Sequence, residues 1–201
     1  MMTIPYSRCA TDGLCLELDK QNWPQFAYRP SVSVRMRHDG HALYVRFDVM
    51  EKHVRALETE DNRPVCPDSC VECFILCADG RNYVNFESNP LGTLLAARRI
   101  DRPSKTALTN EELGRVRRRG NYAGRPPFEL RSERGSRWWL ELEIPFELLG
   151  FAETPSAVQL NAYKCGDSTD SPHYLSLFPI DSERPDFHRP MCFATLALEG
   201  K

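Results

Sequence analysis

No stretch of this 201-residue chain stays apolar for more than a few residues, and its mean hydropathy is −0.48. A bilayer-spanning helix needs about 20 consecutive apolar residues, so no membrane protein of that kind is expected. An excess of one charge is missing too. Twenty-six basic residues face twenty-eight acidic ones, a net charge of −2 at pH 7, so no global field draws the chain to nucleic acid or membrane. Glycine is sparse, at 11, while 15 prolines are spread along the sequence. That punctuation favours many turns over long helices and excludes bundles and coiled coils. Repeats, low-complexity tracts and linkers are also lacking. Residues 1–201 read as one domain, long enough to bury a core without metal or disulfide staples.

The start, "MMTIPYSRCATDGLCLELDKQ", has no basic stretch followed by an apolar run of secretory length. The expectation is a cytoplasmic protein if this start is native, and a secreted one if a leader was removed. Eight cysteines would allow 105 pairings. On an extended strand, Cys73 and Cys77 lie roughly 13 Å apart at about 3.3 Å per residue, whereas a disulfide needs Cα atoms within about 7 Å. Cys70 and Cys73 point to opposite faces. The thiols read as reduced.

Period-two alternation dominates what is present. Val32, Val34 and Met36 alternate with Ser33, Arg35 and Arg37 before a turn at His38-Asp39-Gly40. Leu43, Val45, Phe47 and Val49 follow in the same rhythm. Strands are predicted from Ser69 to Cys77, from Tyr83 to Glu87 after an Asp79-Gly80 turn, and from Thr93. Others span Phe128–Ser132, Trp138–Ile144, Val158–Cys165, Tyr174–Phe178 and Cys192–Leu198. Ten short strands with turns between them describe an all-β fold, a two-sheet antiparallel β-sandwich of jelly-roll type. One or two short helices are expected, at "NEELGRVRRRG" from Asn110 and "PFELLG" from Pro145.

Several motifs have bland explanations. Cys66, Cys70 and Cys73 have the C-x3-C-x2-C spacing of radical iron–sulfur enzymes, but the strand–helix alternation of those barrels is missing. No second Cys or Cys-His pair stands at zinc-ligand spacing. Arg115, Arg117, Arg118 and Arg119, with Arg98, Arg99 and Arg102, carry no interleaved aromatics and read as a solvated face. Glu72 with Glu87, and Glu141 with Glu143, are carboxyl pairs of the type a glycosidase uses about 5 Å or about 6.5–9.5 Å apart. The strand faces opposite the apolar sets are the more informative feature. They carry Tyr44, Arg46 and Asp48; Glu72; Tyr83, Asn85 and Glu87; Trp139; and Asn161 and Tyr163. Planar carboxyl, amide and guanidinium groups can each bond two adjacent sugar hydroxyls, and aromatic faces can stack on sugar rings. Trp138 claims the core side, which leaves Trp139 outward.

The ordered motifs "LYVRFDVMEKHVRA", "EDNRPVCPDSCVECFI", "NYVNFESNPLGTLLA", "WWLELEIPFELLG", "LNAYKCGD", "PHYLSLFPI" and "PDFHRPMCFATLAL" resemble the carbohydrate-binding module family 9-like proteins, a stand-alone bacterial group. The resemblance spans about Val32 to Leu198. It implies a β-sandwich that binds a small glycan or sugar end, linked to polysaccharide catabolism, with calcium as a structural ion whose ligands here are unassigned. The sugar-bonding acid of the family matches Glu72. Its tryptophan platform falls near Cys66, a basic position near Asn85, and its second tryptophan near Phe187 and His188.

The expected ligand set on a polar sheet face is therefore Glu72, Asn85, Glu87, Arg46, Trp139, Asn161 and His188, with Glu72, Asn85 and Glu87 sharing one wet face. The expected partner is a carbohydrate, with no nucleic acid, no membrane and no catalytic residues. Two alternatives stand beside this reading. One is a xylanase-type glycoside hydrolase or its accessory domain. The other is a haem-binding relative using His173 or His188 with Met191. Thiol titration of the denatured, unreduced protein is expected to find Cys66, Cys70, Cys73 and Cys77 free; finding all four paired would remove the strand from Ser69 to Cys77.

Overall fold

The computed structural model describes residues 2–200. Two β-sheets pack face to face. One runs β2 (Leu14–Glu17), β3 (Ser31–His38), β4 (Ala42–Ala56), β10 (Phe128–Pro145), β9 (Arg117–Gly120). The other runs β1 (Thr3–Ile4), β13 (Ala194–Leu198), β11 (Ala157–Cys165), β5 (Cys70–Leu76), β6 (Tyr83–Ser88), β7 (Leu94–Arg99), β8 (Thr106–Ala107), with β12 (Tyr174–Ser176) also paired to β11. Every neighbouring pair is antiparallel except β1 with β13. The only α-helix among the described residues, α1 (Asn110–Arg115), is short, and none is long and apolar enough to cross a membrane.

The alternating apolar residues do what their period requires. Val32, Val34, Met36, Leu43, Val45, Phe47, Trp138, Leu140 and Leu142 from one sheet meet Val71, Cys73, Ile75, Val84, Phe86, Leu160 and Ala162 from the other. Both Asp-Gly turns are built alike. Asp39 accepts from the His41 and Ala42 amides, and Asp79 from those of Arg81 and Asn82. The glycine beside each takes the positive φ that such turns demand, +89° at Gly40 and +65° at Gly80.

Four elements depart from the alternation. The segments 128–132 and 138–144 form one 18-residue strand, β10, whose register against β4 shifts between Arg131 and Ser136. The polar stretch between them is a bulge with Gly135 at φ +81°, and it looks like a turn in sequence. β4 likewise runs on past Val49 to Ala56. The basic run from Arg117 is an edge strand, not a continuation of α1; Arg118 bonds Asp61, and Arg117 and Arg119 stand near Glu143. Charge on an edge discourages pairing with another chain. The helix cap is Thr109, which forms a capping box with Glu112. The strands β1, β2 and β8 are too short or too exposed to show a period.

β4 escapes notice because one of its inward positions is charged. Glu51 lies between the sheets, 2.9 Å from Lys164 Nζ of β11, and accepts from Trp138 Nε1 at 2.7 Å. Lys164 also reaches His173 Nε2 at 2.8 Å and the Cys165 carbonyl at 2.7 Å. Burial and the Lys164 charge push His173 well below its usual range. The imidazole is therefore neutral, accepting at Nε2 and donating from Nδ1 to the Ser171 carbonyl. Beyond this, the ribbon formed by the ends of β4 and β10 holds the 167–173 loop. His53 Nδ1 accepts from the Asp170 amide, and Arg131 forks onto both Asp170 oxygens.

Removing one partner of a buried ion pair strands the other, at a cost of about 3–5 kcal/mol. Glu51→Ala is expected to lose that much in urea unfolding, and Glu51→Met combined with Lys164→Met to recover most of it. A cost below about 1 kcal/mol for Glu51→Ala would show that the pair does not join the sheets.

Candidate binding pocket

The eight-stranded sheet carries apolar side chains on both faces in its centre. Cys70, Phe74, Tyr83, Tyr163 and Cys165 point away from the sandwich core and form a second cluster with Trp23, Ile180 and Phe187. Chain covers them. Asn161 holds the cover down: its amide nitrogen donates to the Phe178 and Cys192 carbonyls, and its oxygen accepts from the Phe178 and Ala162 amides. Phe187 then stacks on Tyr163 with centroids 4.3 Å apart, and His188 lies over Phe74 with Nδ1 3.0 Å from the Tyr83 hydroxyl.

Where the cover stops short, a cavity of about 200 Å³ opens over the sheet. Register sets its floor. Glu72 of β5 stands directly opposite Glu87 of β6, with Tyr163 of β11 on its other side. The walls include Cys66, Arg102, Cys165, Asp167, Tyr174, Asp186, Phe187 and His188. Asn85 lies behind Glu87, donating to its Oε1 at 2.8 Å and accepting from Arg99 Nε at 2.9 Å.

The sequence model of carbohydrate-binding family 9 matches residues 12–198. The chain belongs to this family. A crystal structure from Bacteroides uniformis ATCC 8492, of a protein to which carbohydrate binding is ascribed, is 32% identical and superposes with a TM-score of 0.88 over 98% of this chain and 97% of that one. A family 9 module from Caldicellulosiruptor kristjanssonii has been solved with glucose and with cellotriose. Each of the two structures is 13% identical with a TM-score of 0.58, covering all of this chain and 96% or 94% of theirs. At that identity they show the fold. Among curated proteins none matches the chain.

For this family 9 chain, the structure divides the expected ligand set. Glu72, Glu87 and His188 line one pocket, but Glu72 and Glu87 are only 3% and 7% exposed, so the face is covered and not wet. Asn85 and Asn161 are fully buried and bonded within the protein, one orienting Glu87 and the other clamping the cover. Arg46 and Trp139 belong to the five-stranded sheet, on the opposite side of the sandwich. There the Arg46 guanidinium sits 4.0 Å above the Trp139 ring while forking onto Asp48, so it occupies a ring face that a sugar would need. A wider, shallower depression of about 390 Å³ lies beside them, lined by Ser33, Asp48, Asn121, Arg137 and Trp139. The haem ligands fare no better: both His173 nitrogens are engaged in the interior, and Met191 is 83% exposed, outside the pocket.

Arg102, Cys165, Asp167 and Tyr174 are pocket residues that alternation cannot reveal, because all four come from loops or strand ends. Asp167 and Cys165 do sit within "LNAYKCGD". The single group of His, Cys, Asp and Glu side chains that converges at ligand distance among the described residues is Cys70, Glu72 and Cys165. Two thiols and one carboxyl do not suit calcium, which takes six to eight oxygens.

Burial dominates the electrostatics. It pushes the Glu72 carboxyl well up, assisted by the neighbouring Glu87 charge, and raises Glu87 to about 7 despite its bond to Asn85 and the nearby Arg99. Asp167 is raised by the same cause, and His188 is pushed down to about 3 by burial and by Arg99, Arg102 and Lys105. A carboxyl that holds its proton more tightly when folded adds stability in acid, which fades as pH climbs through its folded value. His188 acts in the opposite sense, because the unfolded ring takes up a proton below about 6.5 while the folded ring does not. Comparing the wild type with Glu87→Gln isolates the carboxyl. Wild-type stability relative to the variant is expected to fall by up to about 3 kcal/mol between pH 4.5 and 7. A flat difference in chemical unfolding across that window would show Glu87 to be ionised throughout.

Proposed function

We propose that the chain binds a single sugar ring or the end of a short glycan in the pocket over Glu72 and Glu87. The observation that carries this reading is the in-register pair of carboxyls beneath a small opening that Asp167, Arg102 and His188 also face. Cavities that enclose a drug-sized ligand run to about 300–1,000 Å³, so a space of about 200 Å³ fits one ring and not a run of chain. A neutral carboxyl donates one hydrogen bond and accepts others, and an ionised one only accepts. With burial favouring the protonated form of Glu72 and Glu87 ionising near neutrality, the floor offers both kinds of partner to adjacent hydroxyls. Phe187 and Tyr174 supply apolar wall.

Cys66 stands where the family's aromatic platform would be, so one stacking surface is missing. The expected affinity is accordingly modest, with Kd about 0.1–1 mM. Glu72 and Glu87 rise from one floor on adjacent strands, and a bound ring lies over both. Glycoside hydrolysis needs its carboxyls to flank the scissile bond, so the arrangement supports binding without cleavage.

NMR titration with glucose and cellotriose tests the reading. Saturable shifts are expected around Glu87, Asp167 and His188, with Glu87→Gln and Asp167→Asn each weakening binding about tenfold, the loss of one hydrogen bond to a charged group. Arg46→Ala and Trp139→Ala are expected to leave affinity unchanged. The reverse pattern would move the site to the five-stranded sheet, and release of reducing sugar from xylan would make the chain a hydrolase.

A further inference from the structure

Cys70 and Cys165 face one another across the β5–β11 ladder, both turned away from the sandwich core. Glu72, two residues along β5, shares their face. Its Oε1 lies 3.2 Å from the Cys165 sulfur and 3.8 Å from the Cys70 sulfur, and all three ligating atoms fall within 4.8 Å of one another. A tetrahedral zinc ion, with bonds of about 2.3 Å to sulfur and about 2.0 Å to oxygen, sets its ligands about 3.5–3.8 Å apart. The two sulfur–oxygen distances bracket that spacing and the sulfurs lie within 4.8 Å of each other, so only small side-chain adjustments on paired strands are needed.

We propose that Cys70, Cys165 and Glu72 form a binding site for a soft divalent cation, suited to Zn2+, whose fourth position opens into the pocket. Three further observations support it. Two thiol ligands select zinc over calcium or magnesium. Cys165 and Glu72 line the open cavity while Cys70 is sealed beneath them, so an ion has a way in and a solvent-side position for water or a fourth ligand. No ion pair to Glu72 is formed among the described residues, so a dication entering there displaces no cationic side chain. Spacing along the chain cannot reveal the trio, because Cys165 arrives through the register of a strand about ninety residues further on.

The test uses the full chain, reduced, stripped with chelator and free of sugar, so its failure leaves the saccharide reading untouched and the converse holds too. Titration with Cd2+ is expected to raise a thiolate charge-transfer absorption that saturates at one equivalent, and Zn2+ to abolish it by competition. Cys165→Ser and Cys70→Ser are expected to lose the band, and Cys73→Ser, altered on the core face, to keep it. X-ray absorption of the zinc-loaded wild type needs no variant and is expected to show two sulfur ligands. Absence of the band, its persistence in Cys165→Ser, coordination without sulfur, or loss of two thiols to a Cys70–Cys165 disulfide without metal uptake would each overturn the proposal.

Discussion

The central strands of the larger sheet carry apolar side chains on both faces, and a sheet of that kind cannot leave one face to water. Most of the remaining structure answers that constraint. The inward face packs on the five-stranded sheet. Phe74, Tyr83 and Tyr163 on the other side need cover, which the chain supplies from the Trp23 region and from residues 178–193. Burying aromatic rings this way contributes more than any single polar contact, since each covers roughly 150–250 Å². Hydrogen bonds only choose the placement. Asn161, with both donors and both acceptor positions of its amide used, sets where the cover lies. The pocket is the gap the cover leaves, and so it inherits a low-dielectric floor on which acids stay protonated to unusually high pH.

Inside the sandwich, Glu51, Lys164, His173 and Trp138 partner one another, which is the condition for keeping charge there. Asp68 shows the same economy just before β5, a central strand of the larger sheet. Its carboxylate accepts from the Leu57 and Glu58 amides, the Asn89 side chain and Arg55, and so ties the segment after β4 to the turn after β6. Neither Asp68 nor Glu51 is free to meet a ligand, although acids in a sugar-binding fold invite that assignment.

What was legible in the sequence follows from which interactions leave a periodic trace. Val32 to Met36 and Leu43 to Val49 alternate because one face meets hydrocarbon, and the hairpin turns announce themselves through Asp-Gly. The second half of β4 was hidden because its inward residue is Glu51, and β10 looked like two strands because a bulge carries polar residues in mid-strand. For the site, alternation put Glu72, Asn85 and Glu87 on one face correctly. It could not say that a later segment would close over that face, nor that Arg46 and Trp139 look out from the other sheet. Both facts depend on contacts between residues a hundred positions apart. Family motifs held Cys165 and Asp167 in plain view, yet only strand pairing shows what they stand beside.

The ribbon that grips Asp170 through His53 and Arg131 gives the molecule a remote control. Two residues separate Asp170 from Asp167, and the short loop that holds both is closed at its base by the contact between Lys164 and His173. Lineages under pressure to accept a different ligand therefore need not alter the pocket lining. His53, which is buried, and Arg131, which is half exposed, hold Asp170 and with it the loop that presents Asp167 to the pocket, so a change at either acts on the site's shape and leaves its recognition chemistry intact.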